Sequence, residues 1–310
     1  MEFIHTSVMP EEVLAYMNPA PGKVIVDGTL GGSGHAAALL KAILPGGLLV
    51  GIDQDMDAVE TAKKRLSVFN NSVRIIHDNF ENMPDILKAE GIDAVDGILV
   101  DLGLSFNQIE QSGRGFSFMK DEPLDMRMDA DADLKAADIV NGFSEKELIR
   151  IFRDYGEEKK ASAIARMIVK KRPVETTREL SDIICLVVPR IQKGKMMRIH
   201  PATKVFMALR IAVNKELRRV ESLMEFAADL LKPGGRLVVI SFHSLEDRIV
   251  KHGMKRLEKG CECPDEIPFC ICGKKPRVRI ITKKAVFATE AETENNNMAR
   301  SARLRVMEAL

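Results

Sequence analysis

Through its first hundred residues the sequence alternates short apolar runs with helical patterns, and this alternation is the signature of βαβ units that assemble a parallel sheet. Val24-Ile25-Val26 closes at Asp27, Leu48-Leu49-Val50-Gly51-Ile52 closes at Asp53, Val73-Arg74-Ile75-Ile76 follows, and Gly97-Ile98-Leu99-Val100 closes at Asp101. Helical patterns fill the intervals around Ala36 to Ile43, Ala58 to Leu66 and Asp85 to Glu90. Four strands in this order predict an α/β, doubly wound, Rossmann-like sheet whose ligands sit at the carboxyl ends of the strands.

After Asp101 the alternation stops. The stretch Gly113-Arg114-Gly115-Phe116-Ser117-Phe118 leads into helical segments, and no further strand is expected until about residue 236. One long helix is predicted from near His200-Pro201 through Val213 and Leu223 towards Leu231, with proline at an early position where its missing donor costs nothing. Lys232-Pro233-Gly234-Gly235 reads as a turn, Arg236 to Phe242 as a buried fifth strand, and Val278 to Ile281 with Arg303 to Val306 as an edge hairpin pair. The expected organisation is therefore a discontinuous sheet domain over residues 1–105 and 217–310, with an inserted helical domain over 106–216 for substrate recognition.

At 310 residues the chain is long enough for one large domain and a smaller one. No apolar run approaches the roughly 18 residues of a membrane span, and the opening residues have no secretory pattern, so a cytoplasmic, membrane-free protein is expected. The net charge is only +1, but it is unevenly spread. Residues 134–219 hold 20 Lys plus Arg against 10 Asp plus Glu, a local excess of ten. That excess fits phosphate contacts, with Lys170, Lys171, Arg172, Lys195, Arg198 and Lys204 as candidates, and equally fits solvated helix faces.

Asp27-Gly28-Thr29-Leu30-Gly31-Gly32-Ser33-Gly34-His35 lies between a strand and a helix, the position of a cofactor loop. Gly32 to Ala37 satisfies a loose G-x-G-x-x-A pattern, which admits a nicotinamide enzyme. Two features favour S-adenosylmethionine. Asp27 and further residues intervene before the glycine pair, where a pyrophosphate would need glycine at once, and a carboxylate suits the methionyl ammonium. Asp53 ends the next strand at the distance at which an acidic side chain accepts hydrogen bonds from ribose hydroxyls, although it could instead cap the following helix. A binding protein that uses only the basic insert is the third reading.

Longer motifs carry a resemblance. His5-Thr6-Ser7-Val8-Met9, Asp27-Gly28-Thr29 with Gly31 to His35, Asp101-Leu102-Gly103-Leu104-Ser105 followed by Gln108, Arg114 to Phe118, Pro123 to Met128, Tyr155-Gly156-Glu157-Glu158, His200-Pro201-Ala202-Thr203 and Ile240 to Arg248 run over nearly the whole chain. Together they resemble the bacterial 16S rRNA cytosine N(4)-methyltransferase family of the MraW type, with Phe106 standing where that pattern usually has a small polar residue. The resemblance implies that Ser33, Gly34, His35, Asp53, Phe80, Asp101 and Gln108 line an S-adenosyl-L-methionine pocket. It also implies a methyl acceptor that is the exocyclic amine of a cytidine in the decoding centre, the P-site region, of 16S rRNA in the small ribosomal subunit.

Residue chemistry agrees with parts of this. A cytosine amine is a poor nucleophile, so an acceptor for its protons helps, and Asp101 is the first candidate, either for gripping the amine or for fixing the cofactor. Ser241, His243 and Ser244 are candidates for hydrogen bonds to a flipped-out base and Phe116, Phe118 and Phe242 for stacking, each with a plain structural alternative. A ring-carbon methyltransferase would need a cysteine nucleophile, and none lies near the Asp101 loop. Cys261, Cys263, Cys270 and Cys272 instead cluster late in the chain, with a spacing that suits a structural tetrathiolate zinc site and equally suits reduced free thiols. Whether the protein is a monomer or a homodimer is left open by the sequence.

Overall fold

The computed structural model describes residues 7–192, 195–196, 199–261, 263, 269 and 271–310, without the side chains of 191–192 and 195–196. Helix α1 (Pro10–Met17) precedes a run of β1 (Val24–Asp27), α2 (Gly34–Ile43), β2 (Leu48–Asp53), α3 (Met56–Leu66), β3 (Val73–His77), α4 (Met83–Ala89) and β4 (Val95–Asp101). Helices α5 (Phe106–Glu110), α6 (Ala136–Gly142), α7 (Glu145–Asp154), α8 (Ala161–Lys171) and α9 (Thr177–Val187) follow, then two-residue strands β5 (Ile191–Gln192) and β6 (Lys195–Met196), and α10 (Thr203–Asn214). The chain ends with α11 (Glu216–Leu230), β7 (Leu231–Ser241), α12 (Ser244–Lys259), β8 (Val278–Ile280), α13 (Glu290–Asn295) and β9 (Arg303–Ala309).

The residues divide into two compact units, one of residues up to Gly103 together with Leu217–Leu310, the other Leu104–Glu216. In the first, seven strands are ordered β3-β2-β1-β4-β7-β9-β8. The first five are mutually parallel and β9 runs antiparallel to both its neighbours. Successive side chains on a strand point to opposite faces, and the strands use both faces for apolar burial. Val26, Ile98, Val100, Leu237 and Val239 enter one core with α4, α11 and α12, while Ile25, Leu99, Val238 and Ile240 enter the other with α1 and α2. This is the doubly wound arrangement, and the strand order reverses between β1 and β4, where such sheets place their ligands.

The helical unit has its own core, with Leu148 and Phe152 of α7, Ile164 and Ile168 of α8, Leu180 and Ile184 of α9, and Val205 and Leu209 of α10. Reciprocal capping boxes start α7 (Ser144 with Glu147) and α9 (Thr176 with Glu179), satisfying amides that the first helical turn leaves free.

Four expectations need correction. The long helix from His200 towards Leu231 is two helices, because Lys215 takes a left-handed conformation (φ 52°) and ends α10. Apolar periodicity continues across this break, so the sequence pattern hides it. The buried Asn214 amide is tied to the neighbouring chain, accepting from Met128 N at 2.8 Å and donating to Met126 O at 2.8 Å. Second, Lys232–Gly235 does not precede the fifth strand but bulges within it: Val95 pairs with Leu231 and Gly97 with Arg236, with Gly234 at φ 79°. Third, the stretch expected to be strand-free holds the antiparallel β5–β6 pair. The edge pair at the end of the chain forms antiparallel, but only β8 is the edge, since β9 pairs with β7 on its other side.

Candidate active site

Asp27 ends β1, and the loop after it is fixed by the strands around it. Gly28 N donates to Leu99 O at 2.9 Å and Leu30 N to Ile52 O at 3.2 Å. Thr29 Oγ1 accepts from Asp101 N at 2.7 Å, so the loop holds the end of β4 as well. Ser33, the residue before α2, is fully buried in a left-handed conformation (φ 61°) that a non-glycine residue seldom adopts. Its Oγ is buried without a hydrogen-bond partner. Gly34 is packed so tightly on Ser7 that an added Cβ would collide with the hydroxyl.

Three ionisable groups meet behind this loop. Asp27 accepts from Thr29 N with Oδ1 at 3.2 Å, while its Oδ2 is buried and unpartnered. His35 Nε2 lies 3.6 Å from Asp101 Oδ2, and Asp101 Oδ1 is again buried and unpartnered. Burial pushes the Asp27 carboxyl up to about 7, against the pull of the His35 ring and the Thr29 amide. Burial works the other way on His35, but its close approach to the Asp101 carboxylate, with help from Asp27, leaves the ring above the ordinary histidine value. Unpartnered acceptors are costly in such a place, roughly 1–3 kcal/mol each, which makes this cluster the candidate ligand site.

Asp53 ends β2. Its two oxygens accept from Gly31 N at 2.8 Å and Asp55 N at 2.9 Å, which ties the glycine loop to the start of α3, and burial raises its carboxyl to about 6 despite those two bonds. Each oxygen keeps a second lone pair for a further donor. Helix α3 is capped by Asp55, whose side chain accepts from Asp57 N, so the cap reading of Asp53 is not needed. Phe80 is buried in the short 3₁₀ turn after β3, its Cβ against Gly28. Sequence reading missed the polar network beside it: Asn79 Nδ2 donates to Gln54 Oε1 at 2.9 Å, and the Arg219 guanidinium bonds Gln54 and lies 3.3 Å from Glu81. No motif signalled Arg219, which stands far along the chain in α11.

The other candidates have visible structural duties. Ser241 Oγ is 3.4 Å from Arg303 O on β9. His243 caps α12: its Nδ1 accepts from Glu246 N at 3.3 Å, and Glu246 Oε2 accepts from Phe242 N at 2.9 Å. Phe242 packs on Gly103, whose φ of 101° is a conformation that L side chains rarely adopt and where a Cβ would press on the ring. In the helical unit Gln108 forms a capping box with Ser105 at the start of α5, Phe116 is a core residue, and Phe118 stacks on His200 with ring centroids 4.4 Å apart. Of the basic candidates, Lys170 and Lys171 are exposed, Lys204 Nζ donates to Glu157 O at 3.0 Å, and the Arg172 guanidinium donates to Val140 O and Phe143 O at 2.7 and 2.5 Å, closing the end of α6. Arg198, the Lys195 side chain, Cys270, His5 and Thr6 lie outside the described residues. No helix among the described residues is long and apolar enough to cross a membrane.

Comparison with known proteins adds an independent line. A family pattern described as the MraW methylase family matches residues 2–310. The chain is 53% identical over 311 residues to a protein of Desulfosudis oleivorans named ribosomal RNA small subunit methyltransferase H, covering 99% of each. Proteins of the same name from Desulforapulum autotrophicum and Geobacter sulfurreducens are 52% and 51% identical, over 99% of both chains in the first case and 100% of both in the second. With the pattern running through sheet, glycine loop and helical unit alike, the chain belongs to the MraW methylase family.

Proposed function

We propose that the protein transfers the methyl group of S-adenosylmethionine to the exocyclic N(4) of a cytidine in the decoding centre of small-subunit ribosomal RNA. The observation that carries this reading is Asp101: a carboxylate at the reversal point of the sheet with one oxygen set by His35 and the other buried without a partner. The names of the relatives supply the RNA, and the long motifs supply the base.

The residues suit the cofactor. Asp27 Oδ2 and Ser33 Oγ are unpartnered acceptors beside the loop, fitted to an ammonium group, and Asp53 has lone pairs for ribose hydroxyls. A dinucleotide would bring two phosphate charges to a loop flanked by Asp27 and Asp53, which opposes the nicotinamide alternative. Phe80 offers an apolar wall, and we assign Gly34 and His35 to the same pocket, and Gln108 separately to cofactor binding, from the family motifs. Bound S-adenosylmethionine supplies an electrophilic methyl group on a sulfonium.

Asp101 Oδ1 accepts a hydrogen bond from the amine, which concentrates electron density on its nitrogen and takes up the charge that shifts there as the new bond forms. His35 keeps the opposite oxygen in place, and Thr29 fixes the backbone of Asp101, so the acceptor does not have to reorganise. Ser241 and His243 stand at the end of β7, and we assign them to orienting the base through the rigid strand end and the α12 cap.

Mass-spectrometric mapping of small-subunit RNA from a strain lacking the gene tests the assignment. One N(4)-methylated cytidine should be missing and should return with the gene; an unchanged modification map would overturn it. Calorimetry should show S-adenosylmethionine and S-adenosylhomocysteine binding and no binding of NAD.

A further inference from the structure

Between α12 and β8 the sulfur atoms of Cys261, Cys263 and Cys272 lie within 4.8 Å of one another, with Cys261 and Cys272 at 3.9 Å. The base of this segment is closed: Arg277 N donates to Leu257 O at 3.0 Å, and Gly260, at φ 67°, backs onto the Lys275–Pro276 backbone too closely for any side chain. Its described residues provide no apolar interior. Phe269 and Ile271 are 79% and 77% exposed, and all three cysteines are partly exposed. Three thiols converge here without an apolar core among the described residues to hold them.

A disulfide does not account for the arrangement, because its sulfur atoms stand about 2.05 Å apart and it leaves the third thiol unexplained. Packing of neutral thiols does not account for it either, since buried cysteine behaves as a small hydrophobe and this place is wet. A tetrahedral metal does. With zinc–sulfur bonds of about 2.3 Å, neighbouring thiolates in a tetrahedral site stand about 3.8 Å apart. Ile271 N donates to Cys263 Sγ at 3.4 Å, the kind of bond that favours the anionic sulfur. Soft thiolate donors select zinc over magnesium or calcium.

We propose that Cys261, Cys263 and Cys272 bind one zinc ion that ties Cys261 and Cys263, just past α12, to Cys272, ahead of β8. The ion is structural: each thiol releases its proton to solvent as the metal binds, and the binding free energy supplies the ordering that apolar packing among the described residues does not. Cys270 is outside the described residues, and a count of sulfur ligands reads its part directly.

The test uses the full chain. Protein reconstituted with zinc and dialysed should retain about one ion per chain, and X-ray absorption should give zinc–sulfur distances near 2.3 Å with three or four sulfurs. Alkylation mapped by mass spectrometry should be slow at Cys261, Cys263 and Cys272 and become at least about tenfold faster after a chelator removes the metal, while Cys185 reacts alike in both states. The triple variant C261S/C263S/C272S should lose the ion, and C185S should keep it. Failure to retain zinc, two or fewer sulfur ligands, retention in the triple variant, or alkylation indifferent to the chelator would each overturn the site; the last needs no variant to fold.

Discussion

The helical unit and the sheet unit bury apolar side chains alike but treat buried polar ones differently. In the helical unit, Asn214 bridges Met126 and Met128, Thr177 Oγ1 donates to Lys120 O at 2.6 Å and accepts from Glu122 N at 3.0 Å, and Glu216 forms a bidentate pair with Arg210. In the sheet unit, Asp27 Oδ2, Ser33 Oγ, His35 Nε2 and Asp101 Oδ1 have no hydrogen-bond partner, and they stand at the ends of β1 and β4 and the start of α2. Satisfied polar burial serves stability, whereas unsatisfied burial costs stability and singles out a candidate ligand site. The contrast separates scaffold from site without reference to any motif, and each of the following experiments strains it at a different point.

The largest effect should come from the scaffold. Phe152 is wholly buried in the helical core, and Phe152→Ala should cost about 3–5 kcal/mol of that unit's stability by leaving a cavity. Hydrogen exchange should lose protection in residues 104–216 and keep it in β1, β2 and β4. Equal loss in the sheet would show that the two units unfold as one and that their polar economies cannot be compared separately.

Asp53→Ala should weaken S-adenosylmethionine binding by about 1–3 kcal/mol, the range for losing hydrogen bonds to a charged group. Unchanged affinity in a folded variant would leave Asp53 only its tie between Gly31 and Asp55. Asp101→Asn keeps shape but removes a charged acceptor, so turnover should fall by about tenfold, roughly 1.4 kcal/mol. If single-turnover transfer at saturating cofactor stays at the wild-type rate while S-adenosylmethionine affinity drops, Asp101 fixes the cofactor and does not act on the amine.

Asp27 makes the comparison pH-dependent. Its carboxyl, ordinarily near 3.8, is raised to about 7 in the folded protein, so between those values the folded state holds a proton that the unfolded state has lost. This contribution to stability is full below about 3.8, declines as pH rises, and is gone above about 7. Asp27→Asn should remove that decline from the stability profile. Binding of a cationic ammonium favours the ionised carboxylate, so wild-type affinity for S-adenosylmethionine should rise with pH towards 7 and the variant's should be flatter. Identical calorimetric profiles would mean that Asp27 does not face the ligand.

Much of this contrast is legible in the sequence. Strand alternation placed Asp27, Asp53 and Asp101 at strand ends, because a strand buried on both faces must be continuously apolar and a carboxylate terminates it. What could not be read depended on backbone conformation or distant packing. Lys215 breaks a helix inside an unbroken apolar pattern, Arg219 joins Gln54 and Glu81 across the fold, and Arg172, a phosphate candidate by sequence, gives two of its donors to Val140 O and Phe143 O at the end of α6. Charge counted along a sequence does not distinguish a guanidinium that caps a helix from an ammonium that faces solvent.

That distinction supplies the smallest expected effect. Lys170 and Lys171 end α8 and are exposed, whereas Arg172, next in the chain, donates to two backbone carbonyls. If the excess positive charge of the helical unit contacts RNA phosphates, Lys170→Glu with Lys171→Glu should reduce the slope of log affinity against log salt by about 1.5, since each phosphate contact releases most of one counterion. The loss of affinity should be uniform across RNA sequences, because phosphate contacts carry no base information, and S-adenosylmethionine affinity should not change. Arg172→Ala should do the reverse, lowering the stability of the helical unit by roughly 1–3 kcal/mol through two orphaned carbonyls while leaving the salt slope in place. A slope that moves with Arg172 and not with the two lysines would invert the division between scaffold and surface, and a slope that moves with neither would make the basic excess a solvated face.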